Sequence, residues 1–104
     1  MPFQECKPTK IYKRARIAYQ SLGQGVLYVP VNQRKYLTEA FIKILFDPES
    51  SLIALKPSKD RTDYPRGSPY IYMTSFLRTY KIPEQIFDLE WEKERGWLIG
   101  RIKR

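Results

Sequence analysis

One order of patterns occurs twice in this chain of 104 residues: a short apolar strand, a short helix and a β-hairpin. A shift of 44 residues superposes identical residues of the two copies, namely Tyr28 on Tyr72, Arg34 on Arg78 and Tyr36 on Tyr80. A shift of 45 residues superposes the hairpins that follow. Because a unit of about 35 residues cannot bury its apolar face alone, each copy needs the other to complete a core. The sequence therefore predicts an α+β, mainly β fold in which two β-α-β-β repeats form a small barrel with pseudo-two-fold symmetry.

Turn-forming and helix-breaking residues divide the chain into four segments that together make one compact domain. Residues 1–10 have no apolar periodicity, which predicts a flexible basic arm. Residues 11–57 form the first repeat, in which Pro30 suits the first helical position. Residues 58–69 are polar and proline-rich and predict a linker loop, and residues 70–104 form the second repeat.

The composition excludes several classes of function. The chain has no histidine and one cysteine, Cys6, which removes Ser/His and Cys/His catalytic groups and nearly every zinc site. Since no nucleophile is matched with a base, we expect no enzyme, no catalytic residue, no metal and no cofactor. No apolar run approaches the roughly 20 residues that span a bilayer, and residues 1–5 are not typical of a signal peptide. We therefore expect a soluble cytoplasmic protein without a membrane partner.

The charge of the chain favours a polyanionic partner. Lys and Arg number 19 and Asp and Glu number 11, so the formal net charge is +8. Residues 1–45 carry eight basic and two acidic residues, whereas residues 46–104 carry eleven and nine. Seven basic residues are the candidates for binding nucleic acid: Lys10, Lys13, Arg14, Arg16, Arg34, Lys35 and Arg78. Such groups release counterions from phosphates, and arginine can also read guanine; the alternative is an ordinary solvated surface.

The first repeat resembles a known family of DNA-binding proteins. Val29 and Pro30 end an apolar strand, and Arg34, Lys35 and Leu37 follow in a short helix before the hairpin. This arrangement is similar to the AbrB/SpoVT-like swapped-hairpin family, including its MraZ-type tandem members. The resemblance implies a swapped-hairpin-like barrel that binds double-stranded DNA as a transcriptional regulator or architectural factor, associated with the nucleoid and either monomeric or homodimeric.

The resemblance covers residues 15–57, with a weaker echo at residues 70–103, and departs from the family pattern at two places. Gln24 follows Leu22 and Gly23 where the family usually has arginine, so one expected contact to DNA is missing. In the second repeat, Met73 and Thr74 replace the Val/Ile-Pro pair.

The tyrosines leave a second function open. Tyrosines at positions 12, 19, 28, 36, 70 and 72 lie mostly in predicted strands. They either pack in a β-rich core or stack on the unpaired bases of RNA or single-stranded DNA.

The carboxylates leave a third function open. Asp88, Glu90, Glu92 and Glu94 alternate along the chain and either form the solvated face of a strand or offer a docking surface to a protein partner, as in a small viral or mobile-element inhibitor. In the linker, Asp60 and Asp63 are expected to offset the charges of Lys59, Arg61 and Arg66.

Overall fold

In a computed structural model, residues 14–67 and 69–104 are described, and they form short strands and two short helices. The predicted arm at residues 1–10, with Lys10, and the start of the first predicted strand, with Lys13, lie outside the described residues. In chain order the elements are β1 (Ala15–Tyr19), β2 (Gly25–Tyr28), α1 (Val31–Arg34), β3 (Phe41–Asp47), β4 (Leu52–Ser58), β5 (Tyr64–Pro65), β6 (Tyr70–Tyr72), α2 (Thr74–Thr79), β7 (Gln85–Phe87), β8 (Leu89–Glu92) and β9 (Trp97–Arg101).

The strands form two antiparallel sheets. The first sheet has the order β6-β2-β1-β7, and the second has the order β5-β3-β4-β9-β8. The prediction of a mainly β fold with few helices is confirmed. No described strand belongs to both sheets, so the closed barrel that the sequence predicts is not formed by the described residues.

The second hairpin shows why the sheets stay separate. The sequence predicts one strand over residues 86–91, but Asp88 interrupts it, so β7 joins the first sheet and β8 joins the second. Gly100 on β9 lies against this break: a Cβ there would be 2.8 Å from the Asp88 carbonyl oxygen and 2.9 Å from ring atoms of Phe87. The absence of a side chain at Gly100 therefore lets the chain cross from one sheet to the other.

Two local predictions need correction at the helices. Pro30 lies at the N-cap, one position before α1, and its ψ of 151° is extended. The sequence also predicts Thr74 as the N-cap of the second helix, but Thr74 is the first residue of α2, and its hydroxyl accepts a hydrogen bond of 3.0 Å from the Gly25 N–H of β2. The segment predicted as a linker contains β5, which pairs with β3.

The described residues form an apolar core to which both sheets contribute. Alternate residues of the strands point into it, as in β1, where Ala15 and Ile17 are fully buried and Arg16 is exposed. The core draws on both sheets, on α2 and on the segments that follow the helices. Its largest fully buried apolar side chains include Ile17, Leu27, Leu37, Ile53, Leu55, Leu77, Ile82, Leu98 and Ile102.

The strand register repeats the spacing found in the sequence. Leu27 of β2 pairs with Ile71 of β6, and these residues are 44 apart. Ala54 of β4 pairs with Ile99 of β9, and these are 45 apart. The β2–β6 and β4–β9 junctions between the two predicted repeats thus each include a pair of residues that the sequence shift superposes, whereas the β1–β7 junction pairs Arg16 with Ile86, which the shift does not superpose.

The two hairpins share their register and their turn. Asp47 pairs with Leu52 at the end of the first hairpin, and Glu92 pairs with Trp97, 45 residues later, at the end of the second. Ser51 and Gly96, the last turn residues, both have a positive φ, 56° and 73°. The hairpin prediction for residues 41–55 is confirmed.

Two aspartates stabilise turns through hydrogen bonds that lower their pKa. The Ser50 hydroxyl and the Glu49 N–H hold the pKa of Asp47 below its ordinary value of 3.8. The Thr62 N–H and hydroxyl do the same for the pKa of Asp60. Because the ionised form is favoured in the folded chain, each group contributes stability above its unfolded pKa, and this contribution is lost as pH falls through the folded pKa.

We expect the Asp60→Asn variant to lose less thermal stability on acidification than the unmodified chain. The difference should develop as pH falls below about 3.8, the ordinary aspartate value, because the variant has no carboxylate to protonate. Melting temperatures measured between pH 6 and pH 2.5 check this. Glu94→Gln, which removes an exposed carboxylate from a turn, is the control and should follow the unmodified chain; equal behaviour of the two variants would contradict the prediction.

Candidate nucleic-acid interface

The first sheet has one face that packs on the core and a second face on which several described side chains are partly or largely exposed. Arg16 of β1 is exposed and lies directly opposite Tyr28 of β2, which lies opposite Tyr70 of β6. Residues in such cross-strand rows share a face of the sheet. Tyr70 is 47% exposed, and Tyr72 of β6 and Ile86 of β7 are 54% and 55% exposed. We call these five residues, Arg16, Tyr28, Tyr70, Tyr72 and Ile86, the open face.

Arg16 is the candidate cation at the centre of the open face. No hydrogen bond or ion pair to another described residue engages its guanidinium. A cavity of about 160 Å³ lies beside it and is lined by Ala18, Gln20, Val26 and the rings of Tyr28 and Tyr70. The side chain therefore borders both open solvent and aromatic surface.

Arg14 stands just before β1 and is paired with a carboxylate. Its Nε and Nη2 lie 2.7 and 3.3 Å from the two carboxylate oxygens of Asp88, a bidentate contact. Both side chains are more than half exposed, at 56% and 69%. Exposed pairs of this kind contribute about 0–1 kcal/mol, so a phosphate can compete for Arg14.

Arg34 and Arg78 are held in equivalent ways at two places in the fold. The Arg34 Nη2, at the end of α1, donates a hydrogen bond of 3.1 Å to the carbonyl of Arg66, in the segment before β6. The Arg78 Nη2, in α2, donates one of 3.0 Å to the carbonyl of Gly23, in the turn before β2. The arginine of α1 therefore contacts the segment before β6, the strand that precedes α2. The arginine of α2 contacts the turn before β2, the strand that precedes α1. We call these two contacts the arginine clamps.

The clamps lie at opposite ends of the β2–β6 pair. The two strands are antiparallel, so the segments that enter them, and the helices that leave them, are at opposite ends. Gly23 fits its clamp because its φ is 78° and because a Cβ there would lie 2.9 Å from the Arg78 Nη2. A guanidinium has five N–H donors, and the carbonyl takes one of them, so each clamp orients donors that remain for a ligand.

Lys35 lies next to the first clamp. It is exposed, and its Nζ lies 5.1 Å from the ring centre of Tyr36. This is a weak contact of the cation–π type. Of the five candidate cations within the described residues, the structure thus brings Arg34 and Lys35 together at one end of the β2–β6 pair, with Arg78 at the other, while Arg14 and Arg16 lie on β1 or just before it.

The tyrosines divide between the core and the open face. The Tyr36 ring stacks on Trp91 at 4.6 Å and 8°, and the Tyr80 ring meets Phe46 edge-on at 4.8 Å. The Tyr19 hydroxyl donates to the Ile82 carbonyl, so that ring is also part of the packing. Core packing is therefore confirmed for Tyr19 and Tyr36, while Tyr70 and Tyr72 are about half exposed. Tyr12 lies outside the described residues.

The predicted acidic row is interrupted and partly neutralised. Asp88 pairs with Arg14, and the Glu92 Oε1 lies 3.1 Å from the Arg95 Nε. Glu94 lies in the turn between β8 and β9, so the row ends before it. Glu90 alone of the four is an exposed strand carboxylate without an ion pair to a described residue.

The two aspartates of the predicted linker bond to groups other than the linker cations. Asp60 bonds to Thr62, and Asp63 accepts from the Ser58 hydroxyl and lies 3.9 Å from Lys43. No ion pair joins either carboxylate to Lys59, Arg61 or Arg66 within the described residues. Arg66, which the sequence did not single out, is therefore a cation at the first clamp; the only sequence signal is that it lies 43 residues after Gly23, close to the repeat spacing.

No helix among residues 14–67 and 69–104 is long and apolar enough to cross a membrane. The same residues contain no group of three or more His, Cys, Asp or Glu side chains that could hold a metal ion. Comparisons with protein-family models, with curated proteins and with solved structures find no match.

Proposed function

We propose that this protein binds double-stranded DNA as a transcriptional regulator or architectural factor and is not an enzyme. The observation that carries the proposal is the equivalence of the two arginine clamps. Arg34 and Arg78 are 44 residues apart, the spacing that also separates the paired residues Leu27 and Ile71. In this proposal the protein is a nucleoid-associated protein of the cytoplasm.

The proposal includes a pseudo-two-fold axis that relates two swapped-hairpin-like halves. The axis passes between Leu27 and Ile71 in the first sheet and between Ala54 and Ile99 in the second. The aromatic contacts support it, because Tyr36 of the first repeat stacks on the second hairpin and Tyr80 of the second repeat packs on the first hairpin. One chain then presents the two-fold surface that otherwise requires two chains, so a monomer suffices for binding.

A duplex suits such a surface because its two backbones are themselves related by two-fold axes. Phosphate contacts position a protein on DNA and make affinity depend on salt. The described residues hold sixteen of the nineteen basic and ten of the eleven acidic residues, an excess of six positive charges. In the proposal, Arg34, Lys35 and Arg78 contact phosphates at the two ends, Arg14 and Arg16 contact the duplex between them, and Lys10 and Lys13 add charge from the chain before β1.

Fluorescence anisotropy with labelled duplex DNA, single-stranded DNA and RNA at two salt concentrations tests this proposal. We expect the duplex to bind most tightly and its affinity to fall steeply with salt, with a slope of about −0.9 for each phosphate neutralised. Absence of duplex binding at low salt would overturn it.

The open face favours a second candidate function, binding of RNA or single-stranded DNA. Tyr72 is 54% exposed, and the exposed Arg16 lies on the same face. Base stacking on an aromatic side chain contributes about 1–3 kcal/mol per base. Such stacking tolerates any sequence, because every base has a flat face. The acidic row gives less support to a protein partner, since Arg14 and Arg95 pair with two of its four carboxylates.

If this second function is the correct one, Tyr72→Ala should weaken single-strand binding by about tenfold, because a stacking surface is lost. Tyr72→Phe keeps the ring and should bind as the unmodified chain does. Anisotropy with a short labelled oligonucleotide checks both variants. An equal loss of duplex affinity in Tyr72→Ala would contradict a role specific to unpaired bases.

A further inference from the structure

We infer that Arg34 and Arg66 together form a binding site for one phosphate group at the first arginine clamp. The inference rests on the proposed function, since a DNA phosphate is one source of the ligand. It goes beyond that function in assigning Arg66 and in making the two ends of the β2–β6 pair unequal.

The backbone of Arg66 is fixed on both sides. Its N–H donates to the Ala40 carbonyl at 3.0 Å, and its carbonyl accepts from the Arg34 Nη2 at 3.1 Å. Pro65, just before it, belongs to β5 and pairs with Phe41 of β3. The Arg66 side chain therefore starts from an ordered position next to the Arg34 guanidinium.

The polar groups of this site are incompletely satisfied by the described residues. The Arg66 Nε is buried and has no hydrogen-bond partner among them. Arg34 and Arg66 are both half-buried, and neither forms a salt bridge with a described carboxylate. Removing charge and N–H donors from water without a counterion or an acceptor is unfavourable.

A phosphate group supplies both a counterion and hydrogen-bond acceptors. Its oxygens accept hydrogen bonds from guanidinium groups in a bidentate geometry, and its negative charge offsets two neighbouring cations. The carboxylates that precede Arg66 in the chain are engaged elsewhere, Asp60 with Thr62 and Asp63 with Ser58 and Lys43. Lys35, exposed and next in the chain after Arg34, adds positive charge nearby.

The second clamp lacks this site. The carbonyl that Arg78 contacts belongs to Gly23, which has no side chain, and the residue before it, Leu22, is apolar and 87% exposed. The two ends of the β2–β6 pair therefore differ in charge, and a bound polyanion is held more firmly at the Arg34 end.

Arginine Nε–H signals in an NMR titration with inorganic phosphate test the site directly. We expect saturable shifts of the Arg66 and Arg34 Nε–H signals, measured against chloride at equal ionic strength. The shift of the Arg34 signal should be lost in Arg66→Gln and kept in Arg61→Gln, which removes an exposed charge from the turn before β5. Arg66→Lys keeps the charge without the planar fork and should weaken phosphate binding several-fold, and it serves as the test if Arg66→Gln does not fold.

Duplex binding by the same variants separates this inference from the proposed function. Arg66→Gln should weaken duplex binding about tenfold and reduce the salt slope by about 1, and Arg61→Gln should change affinity less than twofold. Equal effects of the two variants, or no phosphate-dependent shift, would overturn the site while leaving DNA binding intact. A phosphate-dependent shift in a protein that binds no duplex would support the site, with free phosphate as its ligand, and overturn the proposed function.

Discussion

Replacing Leu98 by alanine is expected to lower the free energy of unfolding by about 3.5 kcal/mol, the middle of the range for fully buried leucines. Leu98 is 0% exposed and pairs with Leu55 across the β4–β9 junction. The substitution removes apolar contacts on both sides of that junction and leaves a cavity. Urea denaturation monitored by tryptophan fluorescence and circular dichroism measures the effect.

Leu22→Ala is the matched control, because it removes the same atoms from a side chain that is 87% exposed. We expect its effect to lie within about 0.5 kcal/mol. We also expect both probes to report one transition in Leu98→Ala, since the core draws on both repeats and neither can unfold alone. Two separate transitions, or equal effects of the two substitutions, would contradict this account of the core.

Local patterns in the sequence were sufficient for the hairpins and the repeat spacing. Two apolar runs joined by turn residues at positions 47–51 define the β3–β4 hairpin, because both features depend on neighbours along the chain. The spacings of 44 and 45 residues recur in the strand register, where Leu27 meets Ile71 and Ala54 meets Ile99. Such pairing follows when two similar units bury their apolar faces against each other.

Features that depend on distant residues were beyond a reading of the sequence. The break at Asp88 depends on the close approach of Gly100, twelve residues later on another strand. The partners of Arg34 and Arg78 are backbone carbonyl groups 32 and 55 residues away. Every residue has such a group, so the sequence does not show which one an arginine contacts. For the same reason the sequence predicts that the charge of Arg66 is offset by its aspartate neighbours, whereas both aspartates bond to other groups.

The sequence also does not determine which tyrosine side chains are exposed. Tyr36 and Tyr72 are both flanked by residues typical of short strands or helices, yet Tyr36 stacks on Trp91 and Tyr72 is half exposed. The difference arises because Tyr72 lies on an edge strand, with its ring on the face turned away from the core. Which face of a strand meets the core is a property of the assembled sheets.

The substitution with the largest expected functional effect is the double change Arg34→Gln and Arg78→Gln. If both clamps contact phosphates, the slope of log affinity against log salt should become shallower by about 2. Duplex affinity at low salt should fall about a hundredfold, because two charge-assisted contacts are lost. Anisotropy titrations at four or more salt concentrations measure both quantities.

The control has to separate loss of these contacts from loss of charge. Lys59→Gln combined with Arg61→Gln also removes two positive charges, but from exposed residues that take no part in the arginine clamps. Arg34→Lys combined with Arg78→Lys keeps the charges and removes the guanidinium geometry, so it should restore most of the salt slope while lowering affinity. Melting temperatures of the variants show whether the carbonyl contacts of the clamps also matter for stability. If the Lys59 and Arg61 double variant changes the slope as much as the clamp variant does, the positive charge acts without regard to position and the clamps are structural contacts alone.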